Sequence, residues 1–404
     1  MATQEQAPKQ NSVSSLPRRG RARAILRPLA PSTYLLRNLG KTIPLTSVIM
    51  LAVMLVSSII AMIDSIPYSI RVIYSYSKEM MGITPRGDTT QTGHLLQEIR
   101  KHTPVPIGRI VVCRASSSQV RSIVGKWPFI MIGLNQSDMA YYLQRQGSTG
   151  LVGRLPKPGA AEAVVSEPVA KNLGLKIGSP VQGPDQNESY SPQAVKVVGI
   201  AKTDRWLMLN SLEYQQTYHF PPIDLGMVFA KDPAQQDQLD HWAEKHFKGR
   251  RAQIWAYFQI EKQTREMFTV LFKILNVVIA TLALVITLMM GMLMNIYQSQ
   301  RLVEFGLLQA IGYTKKQLLK RVLVESVAVI ILGWILGNAV SYGLLLVAKK
   351  VLMDPSAYSI QVWDPLAFKY TVPIPFAILL VAVGTVVARF RKFDPVGVVE
   401  RRLV

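Results

Sequence analysis

Four runs of apolar residues, each about twenty or more long, dictate what this chain can become. They cover roughly 43–63, 268–294, 322–347 and 370–388. A helix rises about 1.5 Å per residue, so about twenty residues cross the ~30 Å hydrocarbon core of a bilayer. Lipid offers the backbone no hydrogen-bond partners, so each run reads as a membrane-spanning helix that satisfies its own. Pro44 falls in the first turn of the first run, where a missing N–H costs little. The spacing is uneven: one span, then roughly 200 residues without another, then three spans.

The charge agrees with this layout. The 404 residues carry a formal net charge of +21. Residues 1–42 hold eight Lys/Arg and one Glu, residues 297–321 hold five and one Glu, and residues 389–404 hold five against two acids. Two thirds of the excess therefore flanks the apolar runs, as the positive-inside rule expects of cytoplasmic segments. A nucleic-acid partner is disfavoured, because its basic face would cluster on a folded domain. Both termini are expected in the cytoplasm. Residues 1–32, rich in Ser, Pro, Gln and Arg, read as a disordered basic tail, either merely solvated or resting on anionic headgroups. No signal peptide is evident, so the first span reads as an uncleaved signal-anchor.

The expected fold class is a membrane α-helical protein of four transmembrane helices, with a large α+β extracytoplasmic domain between the first and second spans. That domain covers 64–266. Short β-branched runs such as RIVVC (109–113) and VKVVGI (195–200) alternate with helical patches such as QQDQLDHWAEKHF (235–247). It is long enough to bury its own core. Its charge nearly balances, with 24 basic and 18 acidic residues. The outer loop 349–369 carries two Asp-Pro pairs, at 354–355 and 364–365, that favour turns. With one cysteine, Cys113, there is no intramolecular disulfide, and the five histidines show no metal-ligand spacing. No metal site, catalytic residue or cofactor is expected in this chain. It lacks G-x-x-x-x-G-K-[ST], G-x-S-x-G and H-E-x-x-H, so it should not bind ATP by itself.

The segment 297–321 between the second and third spans is unusual for a connector. RLVEFGLLQAIGYTKKQLLKRVLVES starts at Arg301 and is made of strong helix formers interrupted by Gly306 and Gly312. Gly312 suits a helix C-terminus, where a left-handed residue is wanted. A new helix can start at Thr314 and run into the third span. The short first helix would lie along the inner membrane face, with Arg301, Glu304, Lys315 and Lys316 towards the cytosol. Its apolar residues either fit a cleft in a partner or anchor the spans in the interface.

In the third span, Gly333, Gly337 and Ser341 recur every four residues, a close-packing stripe. It serves packing either within one subunit or across a homodimer, and four spans are few for a translocation unit, so two copies are expected. Glu325 follows Arg321 by four residues, and a local pair with Arg321 or Lys320 is the default.

Several of these stretches together resemble one family. R-x-x-E-x-G-x-x-x-A-I-G (Arg301, Glu304, Gly306, Ala310, Ile311, Gly312), then Gln317, Glu325 and GWILG, is similar to FtsX/MacB-type permeases of ABC transporters. AEAVVSEPVAKNLGLKIGSPV followed by VKVVGI resembles the family's extracytoplasmic domain. FDPVGVVERR, with Asp394 and Pro395, resembles its cytoplasmic tail motif. The resemblance covers about 35–404.

It implies a bacterial inner-membrane permease subunit that works with a separate ATP-binding subunit, which would hold the ATP and Mg²⁺. The segment from Arg301 to Gln317 would be the coupling helix. Arg301, Glu304 and Lys315 would offer polar contacts. Leu307, Leu308, Ala310 and Ile311 would fill the partner's groove, with Gly306 and Gly312 allowing close approach and the turn. Transmitted motion would export an amphiphilic, peptide or lipid-like cargo, with a periplasmic adaptor or membrane fusion protein as a further partner. The rival is an FtsX-like scaffold that activates an extracytoplasmic wall hydrolase and transports nothing.

Overall fold

The computed structural model describes residues 37–218 and 224–391. The basic tail 1–32 and the Asp394–Pro395 motif lie outside the described residues. Helices α1 (Leu39–Ile73), α7 (Tyr257–Ser299), α9 (Lys315–Ala348) and α11 (Pro373–Arg391) follow the four apolar runs. The α9 rod continues through a π-turn and a 3₁₀ turn to Ser356. A short α10 (Pro365–Thr371) leads into α11. Four candidate spans result, of 32, 43, 42 and 24 residues.

At 43 residues, α7 is about 65 Å long, twice the hydrocarbon thickness. It and α1 therefore project beyond the membrane as a paired stalk. Charged residues on these projections fit water rather than lipid, and Arg71 faces Glu261 across the pair at 3.7 Å. Pro44 is not at the helix start, because α1 begins at Leu39 and both Pro44 and Pro67 lie inside it. Packing against neighbouring spans holds the helix through both breaks.

The stalk carries the α+β domain. Its strands are β1 (Met81–Pro85), β2 (Ile107–Ser122), β3 (Gly125–Leu134), β4 (Leu151–Gly153), β5 (Glu162–Ser166), β6 (Pro180–Gln182), β7 (Val195–Ala201), β8 (Met208–Ser211), β9 (Leu225–Ala230) and β10 (Ala252–Trp255). They form one mixed sheet in the order β10-β1-β9-β2-β3-β8-β5-β7-β4, with β6 on β7. The long β2 joins its halves: it pairs with β9 through its first part and with β3 through its second.

Helices α2 (Thr92–His102) and α6 (Gln236–His246) cover the β1–β9 half. They bury Leu96, Ile99, Leu239 and Ala243 with Met81 and Val228. Helices α3 (Gln136–Arg145), α4 (Glu167–Leu173) and α5 (Leu212–Thr217) pack on a second core that includes Phe229, Met131, Val165 and Leu209. Strand β7 alternates buried and less buried residues, the two-residue period of a sheet with unequal faces.

Candidate functional site

Helix α8 (Leu302–Ala310) lies between the second and third spans. Sequence chemistry sets the end of this helix and the start of the next. Past Ala310 the chain turns at Gly312, with φ at +104°. The Gly312 N–H donates to the Gln309 carbonyl at 2.9 Å, and the Tyr313 N–H donates to the Leu308 carbonyl at 3.1 Å. This double closure is a Schellman motif, and Leu308 and Tyr313 pack on the same apolar cluster, as the motif favours. Thr314 then caps α9 through a capping box with Gln317, each accepting the other's backbone N–H, at 3.3 and 3.0 Å.

One face of α8 is held inward. Phe305 is buried with Leu318, Val322 and Val386, and Gly306 is buried beside it. Leu308 packs partly against the same cluster. It is half-buried there and keeps part of its surface open. The other face is open: Leu307 is 57% and Ile311 75% exposed, and Ala310, Lys315, Lys316 and Gln317 are exposed with them.

Arg301 departs most from expectation. Instead of pointing to the cytosol it is 2% exposed. Its guanidinium Nη1 donates to Glu325 at 2.6 Å and its Nε donates to Glu304 at 3.2 Å. The expected Arg321–Glu325 pair is present too, at 3.1 Å. Glu325, also buried, is thus shared by two arginines from different helices. Tyr297 and Phe305 rings lie 5.6 and 5.0 Å from the Arg301 guanidinium carbon. A buried charge is tolerated only when paired like this. The network ties the start of α8 to the third span.

The small-residue stripe of α9 faces α1 of the same chain. A Cβ on Gly333 would lie 2.8 Å from Ile49, and one on Gly337 would lie 2.8 Å from the Met50 carbonyl and Val53. Ser341 hydrogen-bonds Ser58 at 2.9 Å. The stripe therefore serves packing within one subunit.

At the outer end of the rod, the turn after α9 is tied to the sheet domain. Buried Asn172, in α4, donates from Nδ2 to the Ser356 carbonyl and to the Arg121 carbonyl, both at 2.9 Å. Its Oδ1 accepts the Arg121 N–H at 2.7 Å. Ala357, the next residue, has a left-handed φ of 53° and packs on the domain core. A cavity of about 600 Å³ opens where the stalk meets the sheet. Ile70, Tyr74, Trp127, Trp255, Ile260 and Met267 are among the residues that line it. Its walls are mostly apolar and aromatic, as ligand sites of about 300–1,000 Å³ usually are.

Among the described residues, four candidate spans, a sheet domain inserted after the first and a short helix between the second and third make this a multi-span membrane protein. Residues 276–393 match the family model described as "FtsX-like permease C-terminal", so this part of the chain is similar to FtsX-like permease domains. Among curated proteins, none matches the chain. Several solved structures are similar to it, two of them as follows. The periplasmic region of MacB from Actinobacillus actinomycetemcomitans is 15% identical, covering 46% of this chain and 92% of that one, with a TM-score of 0.26. The extracellular domain of the noncanonic ABC-type transporter YknZ from Gram-positive bacteria is 15% identical, covering 44% and 99%, with a TM-score of 0.27. Superposition at that level says nothing about function.

Proposed function

We propose that this chain is the transmembrane subunit of an ABC-type exporter and works as a mechanical transmitter. In this reading both termini and α8 are cytoplasmic, in a bacterial inner membrane, and two copies act with a separate ATP-binding subunit. The observation that carries it is the two-faced construction of α8. Leu307, Ala310 and Ile311 are presented outward, while Arg301, Glu325 and Phe305 fasten the helix rigidly to the third span. An interfacial anchor needs the apolar face but not a buried ionic lock behind it. Force on α8 would pass through α9 to Ser356 and reach the sheet domain at Asn172. The apolar cavity above the stalk supports an amphiphilic cargo leaving the outer leaflet, passed on to an adaptor. A scaffold for a wall hydrolase would have no use for that cavity.

The test is co-purification with an ABC ATP-binding subunit from the same organism. Leu307→Asp with Ile311→Asp should abolish both binding and the change in ATPase rate, while the protein still inserts, because both side chains are exposed. Unaltered binding and rates would make α8 a membrane anchor only.

A further inference from the structure

Helices α2 and α6 end at the same place on the sheet domain, far in sequence but adjacent in space. Glu98 and His102 are four residues apart on α2, hence on one face of it, and His246 is the last residue of α6. One ligand atom from each lies within 4.8 Å of the other two. His102 Nδ1 is 3.0 Å from the Glu98 carbonyl oxygen. A carbonyl only accepts, so Nδ1 carries the proton and Nε2 keeps its lone pair. Metal-ligating histidines use this second hydrogen bond to set their tautomer. His246 Nε2 is 2.9 Å from Glu98 Oε1, near the roughly 3.3 Å edge that bonds of about 2.0–2.2 Å give a tetrahedral site.

The His102 and His246 rings stack 5.6 Å apart, and His246 also stacks on Trp242. His102 is exposed, so its side chain can adjust to an ion without moving backbone. Both helices direct their C-termini here, where terminal carbonyls favour a cation. Arg250 opposes one by holding Glu98 Oε1, which leaves Glu98 its second oxygen.

We propose that Glu98, His102 and His246 form a site for a divalent transition-metal ion of the zinc type, with a position left for water. Two imidazoles and a carboxylate suit Zn²⁺ and disfavour Mg²⁺ and Ca²⁺. On binding, the metal takes the Nε2 lone pair of His246 in place of its hydrogen bond to Glu98, and the neutral ring carries its one proton on Nδ1. The ion would staple α2 to α6 across the β1–β9 half of the domain.

The test uses the full chain in detergent, purified through a tag without histidines. Titrated Co²⁺ should give the visible d–d bands of a four- or five-coordinate site at one ion per chain, and Zn²⁺ should abolish them. Zn²⁺ should also raise the unfolding temperature. His102→Ala and His246→Ala should each weaken binding at least about 10-fold. Metal-free unfolding curves separate a lost ligand from a lost fold. Absence of the bands in the wild type, or equal binding by the double variant, overturns the site and leaves a hydrogen-bonded His–Glu–Arg cluster.

Discussion

Arg301 carries a full charge and is almost wholly shielded from solvent, so its stability effect depends on its partners. Removing one member of a buried ionic network strands the other charge, at a cost of about 3–5 kcal/mol. Arg301→Ala and Glu325→Gln should therefore each lower the unfolding temperature in detergent sharply. Arg301→Met, Arg321→Met and Glu325→Leu combined should recover most of the loss, since apolar residues of similar volume often replace such groups without penalty. If Arg301→Ala unfolds at the wild-type temperature, the network is not a structural lock. The Arg321–Glu325 half was legible in the sequence, because one helical turn brings residues four apart together. The Arg301 half was not. Its partner is 24 residues away, and only the turn at Gly312 folds the two helices together.

At the scale of elements, local chemistry was a reliable guide. Gly312, Thr314 and Gln317 announce where α8 stops and α9 starts, because capping is satisfied within a few residues of the boundary. The stripe at Gly333, Gly337 and Ser341 announced close packing but not its partner. Gly337→Leu would drive a side chain into the Met50 carbonyl and Val53 of α1. Overpacking of that kind costs about 1–3 kcal/mol and here should also splay the first and third spans. Gly343 is the control, since a Cβ there meets nothing within 4 Å. Gly343→Leu should unfold like wild type and Gly337→Leu well below it. Equal behaviour of the two would show that α9 does not pack tightly on α1. The ends of α1 and α7 went unread because their projecting turns carry charge and interrupt the hydropathy run.

At the scale of the whole molecule, the α9 rod links a helix on one side of the membrane to a sheet domain on the other. Asn172 joins them, and its loss would orphan backbone groups of Arg121 and Ser356, at about 1–3 kcal/mol. Asn172→Ala should still bind the ATP-binding subunit through α8. Its sheet domain should move at least twofold less when an ATP analogue is added, measured between spin labels on α9 and β7. A wild-type displacement would remove Asn172 from the transmission path and leave the α1–α7 stalk as the route.

Membrane residence, the number of spans, the inserted α+β domain and the capped helix follow from the sequence by itself. Each depends on composition or on contacts a few residues long, and those are written in order along the chain. Only the tertiary structure decided which charges are buried, which face of α8 is open, what the glycine stripe touches, and that Glu98 and His102 meet His246. The sequence shows Glu98 and His102 one helical turn apart, but His246 lies 144 residues beyond His102. Contacts of that range depend on how the sheet orders its strands, with β1 between β9 and β10, and no local pattern encodes that order.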